Sequence, residues 1–180
     1  MDVDVFYLDL DGVMHPEAVY WSLKRGAYLD DRLAAAGHCL FEHAPLLEVL
    51  LVPYPNVRIV LSTSWARTFG YGKTVKRLPP SLAARCIGAT WHSQMDPREF
   101  DALTRGEQVR SDVGRRKPEI WLALDDVDDG WGNDRDNVVL TQPILGLASP
   151  PVLDDLKRKL TRFRMTNGST TDGSMPRDCN

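Results

Sequence analysis

Three apolar segments of this chain run directly into polar residues, and this pattern constrains the fold more than any other feature of the sequence. The segments at residues 5–8, 57–61 and 120–124, which are apolar except for Arg58, are followed by Asp9-Leu-Asp11, by Ser62-Thr63-Ser64 and by Asp125-Asp126. A short, continuously apolar segment bounded by turn residues is typical of a strand that is buried on both faces of a sheet. The pattern therefore predicts buried strands that carry polar side chains at their carboxyl ends.

Segments with helical character lie between the predicted strands. Helices are predicted at residues 45–51, 66–77 and 98–113, with a break near Thr104. A last helix is predicted to begin after Ser149 as its N-cap, and shorter strands are predicted at residues 85–90 and 137–141. Such an alternation of strands and helices indicates an α/β fold with a mainly parallel sheet.

Length and composition are those of one globular domain. The chain has 180 residues, of which 43% are hydrophobic and 26% are charged, and a chain of this size can bury one sizeable core. We assign the domain to residues 1–165. Residues 166–180 are rich in Thr, Asn, Gly, Ser and Asp, so we expect them to form a disordered tail.

Charge and cysteine content narrow the classes of function. A net charge of −3 gives no electrostatic basis for tight nucleic-acid binding by the whole surface. Cys39, Cys86 and Cys179 are too few and too scattered for a disulfide framework, so we expect reduced thiols and a cytoplasmic location. No apolar run is long enough for a membrane helix, and the first residues lack the features of a secretory signal.

The carboxylates at the strand ends predict a metal site. Functional groups of open α/β sheets gather at the carboxyl ends of the strands, which would bring Asp9, Asp11, Asp125 and Asp126 together. Carboxylates that are so close raise one another's pKa unless a cation intervenes, and oxygen ligands at this density suit Mg²⁺. We predict a Mg²⁺ site formed by Asp9, Asp125 and the main-chain carbonyl of Asp11, with Asp126 as the alternative direct ligand. A lone Asp-x-Asp would more simply cap a turn.

The three strand ends with their polar residues, taken in chain order, resemble the motifs of the haloacid dehalogenase-like (HAD) superfamily of hydrolases. The resemblance rests on Asp9-Leu-Asp11-Gly12-Val13, on Leu61-Ser62-Thr63-Ser64-Trp65 and on Leu124-Asp125-Asp126. More narrowly, the chain is similar to the small HAD domains of RNA-repair-like proteins, which share an Asp-Gly-Val-x-His-Pro opening and a Ser-Thr-Ser-Trp motif. This resemblance implies a three-layer, Rossmann-like sheet with helices on both faces. The short spacings between the motifs leave room for only a minimal cap.

The resemblance implies a phosphatase that forms an aspartyl-phosphate. Asp9 would be the nucleophile, and Asp11 would protonate the leaving oxygen and then deprotonate the attacking water. Gly12 would allow the turn that brings Asp11 to the substrate, because alternate residues of a strand point to opposite faces. Ser62 would hold the phosphoryl oxygens. The further predicted substrate-binding residues are Gly12, Thr63, Ser64 and His15.

The superfamily also requires a Lys or Arg that neutralises the phosphoryl charge. The basic residues 115–117 stand near the start of the strand that ends at Asp125, roughly 26 Å from that end along an extended chain. Arg105 begins the preceding helix, whose N-terminus should return to the site and add positive potential. We therefore predict Arg105 for this role, with Arg110 as the second choice.

A site with so small a cap would admit a bulky phosphorylated substrate, such as the end of an RNA or DNA chain or a phosphorylated protein. Tryptophan side chains can stack on nucleic-acid bases, but most of them pack in protein cores. The candidates for base stacking are Trp21, Trp65, Trp91 and Trp131.

Three other interpretations are open. A receiver domain also becomes phosphorylated on an Asp, but its adjacent acids follow the first strand, whereas here they are Asp125 and Asp126. A non-catalytic binding module could keep the same fold, although a degenerate copy would be free to lose its acids. His38, Cys39 and His43 suggest zinc, but no second ligand pair has a suitable spacing.

Overall fold

The computed structural model describes residues 3–163. In this range the strands are β1 (Val5–Leu8), β2 (Val19–Ser22), β3 (Gly26–Leu29), β4 (Arg58–Leu61), β5 (Cys86–Ala89), β6 (Trp121–Asp125) and β7 (Val138–Leu140). The helices are α1 (Asp31–Ala35), α2 (Ala44–Leu51), α3 (Ser64–Thr68), α4 (Tyr71–Val75), α5 (Pro80–Ala83), α6 (Pro97–Asp101), α7 (Arg105–Arg116) and α8 (Pro150–Leu160). Two short 3-10 helices, Gly132–Asn137 and Gly146–Ala148, flank β7.

Five strands form one parallel sheet in the order β5-β4-β1-β6-β7. The central strand is β1, and its Leu8 lies level with Leu61 of β4 and with Leu124 of β6. The residues that follow these three are Asp9, Ser62 and Asp125. The register of the sheet therefore brings the polar ends of the three predicted strands together at one edge.

Both faces of the sheet are covered, because its strands direct alternate side chains into two separate cores. Phe6 and Leu8 belong to the core on one face, together with residues of α2 and α8. Tyr7 belongs to the core on the other face, where Val109 of α7 and Trp131 pack against it. The predicted α/β fold, a parallel sheet with helices on both faces, is confirmed.

Most of the predicted helices are present, and their ends have local causes. α2 carries Pro45 in its first turn, a position that tolerates proline. The predicted break near Thr104 is the N-cap of α7, where Thr104 and Glu107 form a reciprocal capping box. The helix predicted at residues 66–77 is instead two short helices, because Gly70 has a φ of +88° and ends α3.

The sequence patterns missed the β2–β3 hairpin and several short helices, namely α1, α5 and the two 3-10 helices. β2 and β3 form an antiparallel hairpin shortly after the first motif. α8 does follow Ser149, although the side chain of Ser149 makes no capping hydrogen bond. The tail predicted at residues 166–180 lies outside the described residues. Within residues 3–163, no helix has both the length and the apolar character needed to cross a bilayer.

Two glycines hold the start of α7 against the loop after β6. The N–H of Gly106 donates to the Asp129 carbonyl at 2.9 Å, and a Cβ on Gly106 would overlap the main chain of Gly130. A Cβ on Gly130, whose φ is +76°, would likewise overlap Thr104. This close approach fixes the position of Arg105, the first residue of α7.

Gly106→Ala should destabilise the fold, because the added methyl group must displace the main chain of Gly130. We expect the free energy of unfolding to fall by about 1–3 kcal/mol, the usual cost of overpacking a tight contact. Gly114→Ala is the matched control on the same helix, since nothing lies within 4 Å of its added Cβ. The control should stabilise the helix by up to about 1 kcal/mol. Urea denaturation measures both changes, and equal effects would contradict the tight contact.

Candidate active site

Asp9 follows β1 directly and is buried at the carboxyl edge of the sheet. Its carboxylate accepts hydrogen bonds from the Thr63 hydroxyl and from the main-chain N–H of Leu10. A guanidinium nitrogen of Arg105 lies 3.5 Å from Asp9 Oδ2. Burial raises the pKa of Asp9, and the charge of Arg105 opposes this rise only in part. The ionised form of Asp9 would therefore be stabilised by further positive charge.

Asp125 and Asp126 form one acidic cluster with Asp9. One carboxylate oxygen of each residue lies within 4.8 Å of the corresponding oxygens of the other two. Among the described residues, no donor forms a hydrogen bond to the buried Asp125 Oδ2, although Arg105 Nε lies 3.3 Å from it. An unbonded buried carboxylate oxygen is costly, and a hard divalent cation would satisfy it. The cluster therefore fits Mg²⁺, whereas residues 38–43, considered for zinc, form no such group in the described part of the chain.

The metal-free carboxylates of this cluster bind protons more tightly than ordinary ones. Burial and the charge of Asp9 raise the pKa of Asp125 well above its usual range. The same two causes, with a contribution from Glu17, raise the pKa of Asp126 to about 7. Like charges in a poorly solvated site disfavour ionisation, and a bound cation reverses that effect.

Gly12 makes room for Asp126 at the turn after the first motif. Its φ of +68° favours glycine, and a Cβ at this position would overlap the Asp126 carboxylate. The Gly12 carbonyl accepts a 2.7 Å hydrogen bond from the hydroxyl of Thr141, just after β7. The turn predicted at Gly12 is present and shapes the acidic cluster, while contact between Gly12 and the substrate stays a prediction.

Asp11 is held by two side chains that the sequence did not link to it. The indole N–H of Trp65 donates to both carboxylate oxygens of Asp11, at 2.9 Å each. His15 Nε2 lies 3.1 Å from Asp11 Oδ1, and His15 Nδ1 accepts a hydrogen bond from the main-chain N–H of Phe41. Because Nδ1 is an acceptor, Nε2 carries the ring proton and donates it to Asp11. These donors fix the Asp11 carboxylate in one orientation.

Several predicted contacts are placed differently by the structure. His15 has no exposed surface, so it supports Asp11 from inside the fold and does not line the site as the predicted substrate-binding residue. Trp65 and Trp131, considered for base stacking, are buried at 3% and 2% exposure. Within the described residues, the Asp11 carboxylate is not part of the acidic cluster. Its predicted metal contact through the main-chain carbonyl stays a prediction.

The second motif supplies three hydroxyl groups with different surroundings. The hydroxyl of Thr63 accepts from the main-chain N–H of Trp65 and donates to Asp9, so it positions the carboxylate. The hydroxyl of Ser62 is buried and has no hydrogen-bond partner among residues 3–163. This hydroxyl can donate to an acceptor that enters the site, while the predicted contacts of Ser62, Thr63 and Ser64 with a substrate stay predictions. Ser64 is exposed at the first position of α3.

Of the basic residues considered for the third motif, Arg105 is the one that the structure places at the acidic cluster. Arg110 instead pairs with Asp134 at 2.8 Å. Residues 115 and 116 pair with the buried Asp112 toward the other end of α7. The catalytic role of Arg105 stays a prediction, and the structure places its guanidinium beside Asp9 and Asp125.

The chain matches a known protein family over most of its length. The family described as HAD domain in Swiss Army Knife RNA repair proteins aligns with residues 5–152. This range contains the three motifs and Arg105. No curated protein and no solved structure gives a significant match.

Mg²⁺ should stabilise the protein more strongly as the pH rises. Because the pKa of Asp126 is raised to about 7 in the metal-free fold, the stability that this group contributes is lost as the pH rises from about 4 to about 7. Ion binding requires the deprotonated carboxylates, so Mg²⁺ should raise the melting temperature more at about pH 8 than at about pH 5. Scanning fluorimetry with and without Mg²⁺ measures this difference.

Asp126→Asn should reduce the Mg²⁺-dependent shift, because it removes one carboxylate of the cluster. Asp154→Asn, an exposed acid on α8, is the matched control and should keep the wild-type shift. A melting temperature that is insensitive to Mg²⁺ at both pH values would contradict the metal assignment.

Proposed function

The chain belongs to the family of HAD domains in Swiss Army Knife RNA repair proteins, and from this premise we propose that it is a Mg²⁺-dependent phosphatase that acts through an aspartyl-phosphate. The observation that carries the proposal is the set of groups around Asp9, a buried carboxylate beside two further acids and a guanidinium. This set suits attack on a phosphate, because positive charge at the site offsets the repulsion between two anions.

In the proposed reaction, Asp9 attacks the phosphorus of a phosphate monoester, and the bond from phosphorus to the leaving oxygen breaks. Asp11 donates its proton to that leaving oxygen, and Trp65 and His15 keep it in place. In the second step, Asp11 takes a proton from the water that attacks the aspartyl-phosphate, which releases inorganic phosphate and restores Asp9. Bound Mg²⁺ would supply charge that lets the two anions approach each other.

Two further groups would bind the transferred phosphoryl group. Arg105 lies between the carboxylates of Asp9 and Asp125, with contacts of 3.5 and 3.3 Å. A substrate phosphate at this place would give the guanidinium a third anion and neutralise charge as it develops. The unpartnered hydroxyl of Ser62 would donate to a phosphoryl oxygen.

The substrate that we favour is a terminal phosphate of RNA or DNA. The family is described by its place in RNA repair proteins, and repair of a broken strand commonly requires the chemistry of its terminal phosphates to be changed. The cap-like element after the first motif is one short hairpin, β2 and β3. Such a small cover leaves access for a polymer end.

The wild-type protein with Mg²⁺ should release phosphate from p-nitrophenyl phosphate, and chelation should abolish the release. Asp9→Asn should lower kcat by at least roughly 10³-fold, because it removes the nucleophile. Asp154→Asn on α8 is the matched control and should keep full activity. Colorimetric detection of nitrophenolate measures the rate in each of these four cases.

The same assay separates the alternative functions. No release from any ester, including 5′- and 3′-phosphorylated oligonucleotides, by a folded protein that binds Mg²⁺ would contradict the phosphatase and favour a non-catalytic module. A phosphorylated Asp9 that persists for minutes would instead favour a receiver-like role.

Arg105→Ala should lower kcat/KM by roughly a hundredfold, the usual effect of removing one charge-stabilising donor from an active site. Arg110→Ala is the matched control on the same helix, because Arg110 pairs with Asp134 and not with the acidic cluster. Steady-state kinetics on p-nitrophenyl phosphate measures both variants. Full activity of Arg105→Ala would move the charge-neutralising role to another residue.

A further inference from the structure

A small cavity adjoins the proposed active site, between the β2–β3 hairpin and α3. Its volume is about 130 Å³, whereas sites for whole small molecules measure roughly 300–1,000 Å³. An apolar cavity of about 150 Å³ holds one benzene ring. The size therefore suits a single planar ring system. Its lining includes Asp11, Tyr20, Trp21, Ser64, Trp65 and Phe69.

Trp21 lies on the inner face of the β2–β3 hairpin but, unlike its neighbours there, it is half exposed. Alternate residues of paired strands share a face, so Trp21 lies on the same face as Val19, Ala27 and Leu29. Ala27 and Leu29 are buried, but 50% of the surface of Trp21 is exposed. Phe69 lies beside Trp21, with ring centroids 6.1 Å apart. Trp21 therefore offers an aromatic surface that the fold itself does not cover.

The position of Asp11 tells which part of a substrate would occupy this cavity. Asp11 is the proposed proton donor to the leaving oxygen, and it is one of the residues that line the cavity. Asp9 and the rest of the acidic cluster, where the phosphoryl group would bind, are not among the lining residues. The cavity is therefore on the leaving-group side of the site.

Arg77 places a positive charge against two of the aromatic rings that line the cavity. The guanidinium of Arg77 lies 5.4 Å from the ring centroid of Trp65 and 5.8 Å from that of Phe69, and both rings line the cavity. Arg77 is exposed, and no carboxylate of residues 3–163 forms an ion pair with it. The charge of Arg77 is therefore not neutralised by a described carboxylate, and an anion next to the aromatic rings could pair with it.

We propose that the cavity binds the base of the terminal nucleotide whose phosphate is removed, with the base stacked on Trp21 and the adjacent backbone phosphate near Arg77. This inference rests on the proposed phosphatase function and names the ligand class of that site, a single-stranded nucleic-acid end. Stacking on an aromatic ring accepts any base, and a neighbouring cation follows the backbone. Phosphotyrosine also carries a ring, but it has no second phosphate for Arg77.

The test compares hydrolysis of short single-stranded oligonucleotides with a 5′- or a 3′-terminal phosphate, each with a normal or an abasic terminal nucleotide. Trp21→Ala should lower kcat/KM on the normal ends by roughly tenfold, the effect of losing one base–aromatic stack, and should affect the abasic ends much less. Leu23→Ala is the matched control on the same hairpin, since Leu23 is 93% exposed and should act as wild type.

Two kinetic outcomes would overturn the proposal. One is an equal effect of Trp21→Ala on normal and abasic ends, which would mean that Trp21 does not contact the base. The other is a phosphotyrosine peptide that is hydrolysed faster than every oligonucleotide and depends on Trp21, which would assign the cavity to a protein substrate.

Binding is measured separately, by fluorescence anisotropy of the same oligonucleotides with Asp9→Asn protein. Arg77→Gln should weaken binding to normal and abasic ends alike and should reduce the slope of log Kd against log salt by about 0.7, the value for one contact to a single-strand phosphate. An unchanged slope would show that Arg77 does not contact a backbone phosphate of the bound oligonucleotide. Hydrolysis that does not depend on the terminal base would contradict base binding in the cavity but not the phosphatase activity. Binding that depends on Trp21, without hydrolysis by the wild type, would contradict the phosphatase activity alone.

Discussion

The arrangement of the site follows from one constraint: the sheet brings several negatively charged side chains together at one buried place. Asp9, Asp125 and Asp126 converge because β1 lies between β4 and β6 with their ends in register, so the acids cannot separate while the sheet is intact. The charge of Asp9 makes ionisation of both Asp125 and Asp126 less favourable, and that of Asp126 adds to the effect on Asp125. Arg105 compensates part of this charge from a helix whose start is fixed by a glycine contact. The unbonded oxygen of Asp125 marks where more positive charge is needed.

The central sheet could be predicted because short, mostly apolar segments bounded by turn residues favour buried strands. The placement of Arg105 could be predicted as well, since a helix that precedes a parallel strand must begin near the edge where that strand ends. The β2–β3 hairpin could not be predicted. Its first strand, Val19–Ser22, is largely exposed and lacks the alternation of buried and exposed residues that marks an ordinary half-buried strand.

The hydrogen-bond partners of Asp11 could not be predicted from the sequence either, for a different reason. Trp65 and Asp11 are 54 positions apart, and no local pattern tells which distant donor will reach a given carboxylate. The position of Trp65 directly after Ser62-Thr63-Ser64 was the one available signal. The burial of His15 has the same origin, since its neighbours Phe41 and Trp65 come from separate parts of the chain.

Phe41 has a strained backbone conformation, and its contacts with the residues around Asp11 explain why. Its φ of +62° is a left-handed conformation, which disfavours a non-glycine residue by roughly 1–2 kcal/mol. In this conformation its N–H reaches His15 Nδ1 at 3.2 Å, and its ring packs against those of His15 and Trp65. A substitution with glycine would relax the backbone but remove the ring. Efforts to engineer a more thermostable form would therefore meet, at this one loop, a trade-off between heat resistance and turnover.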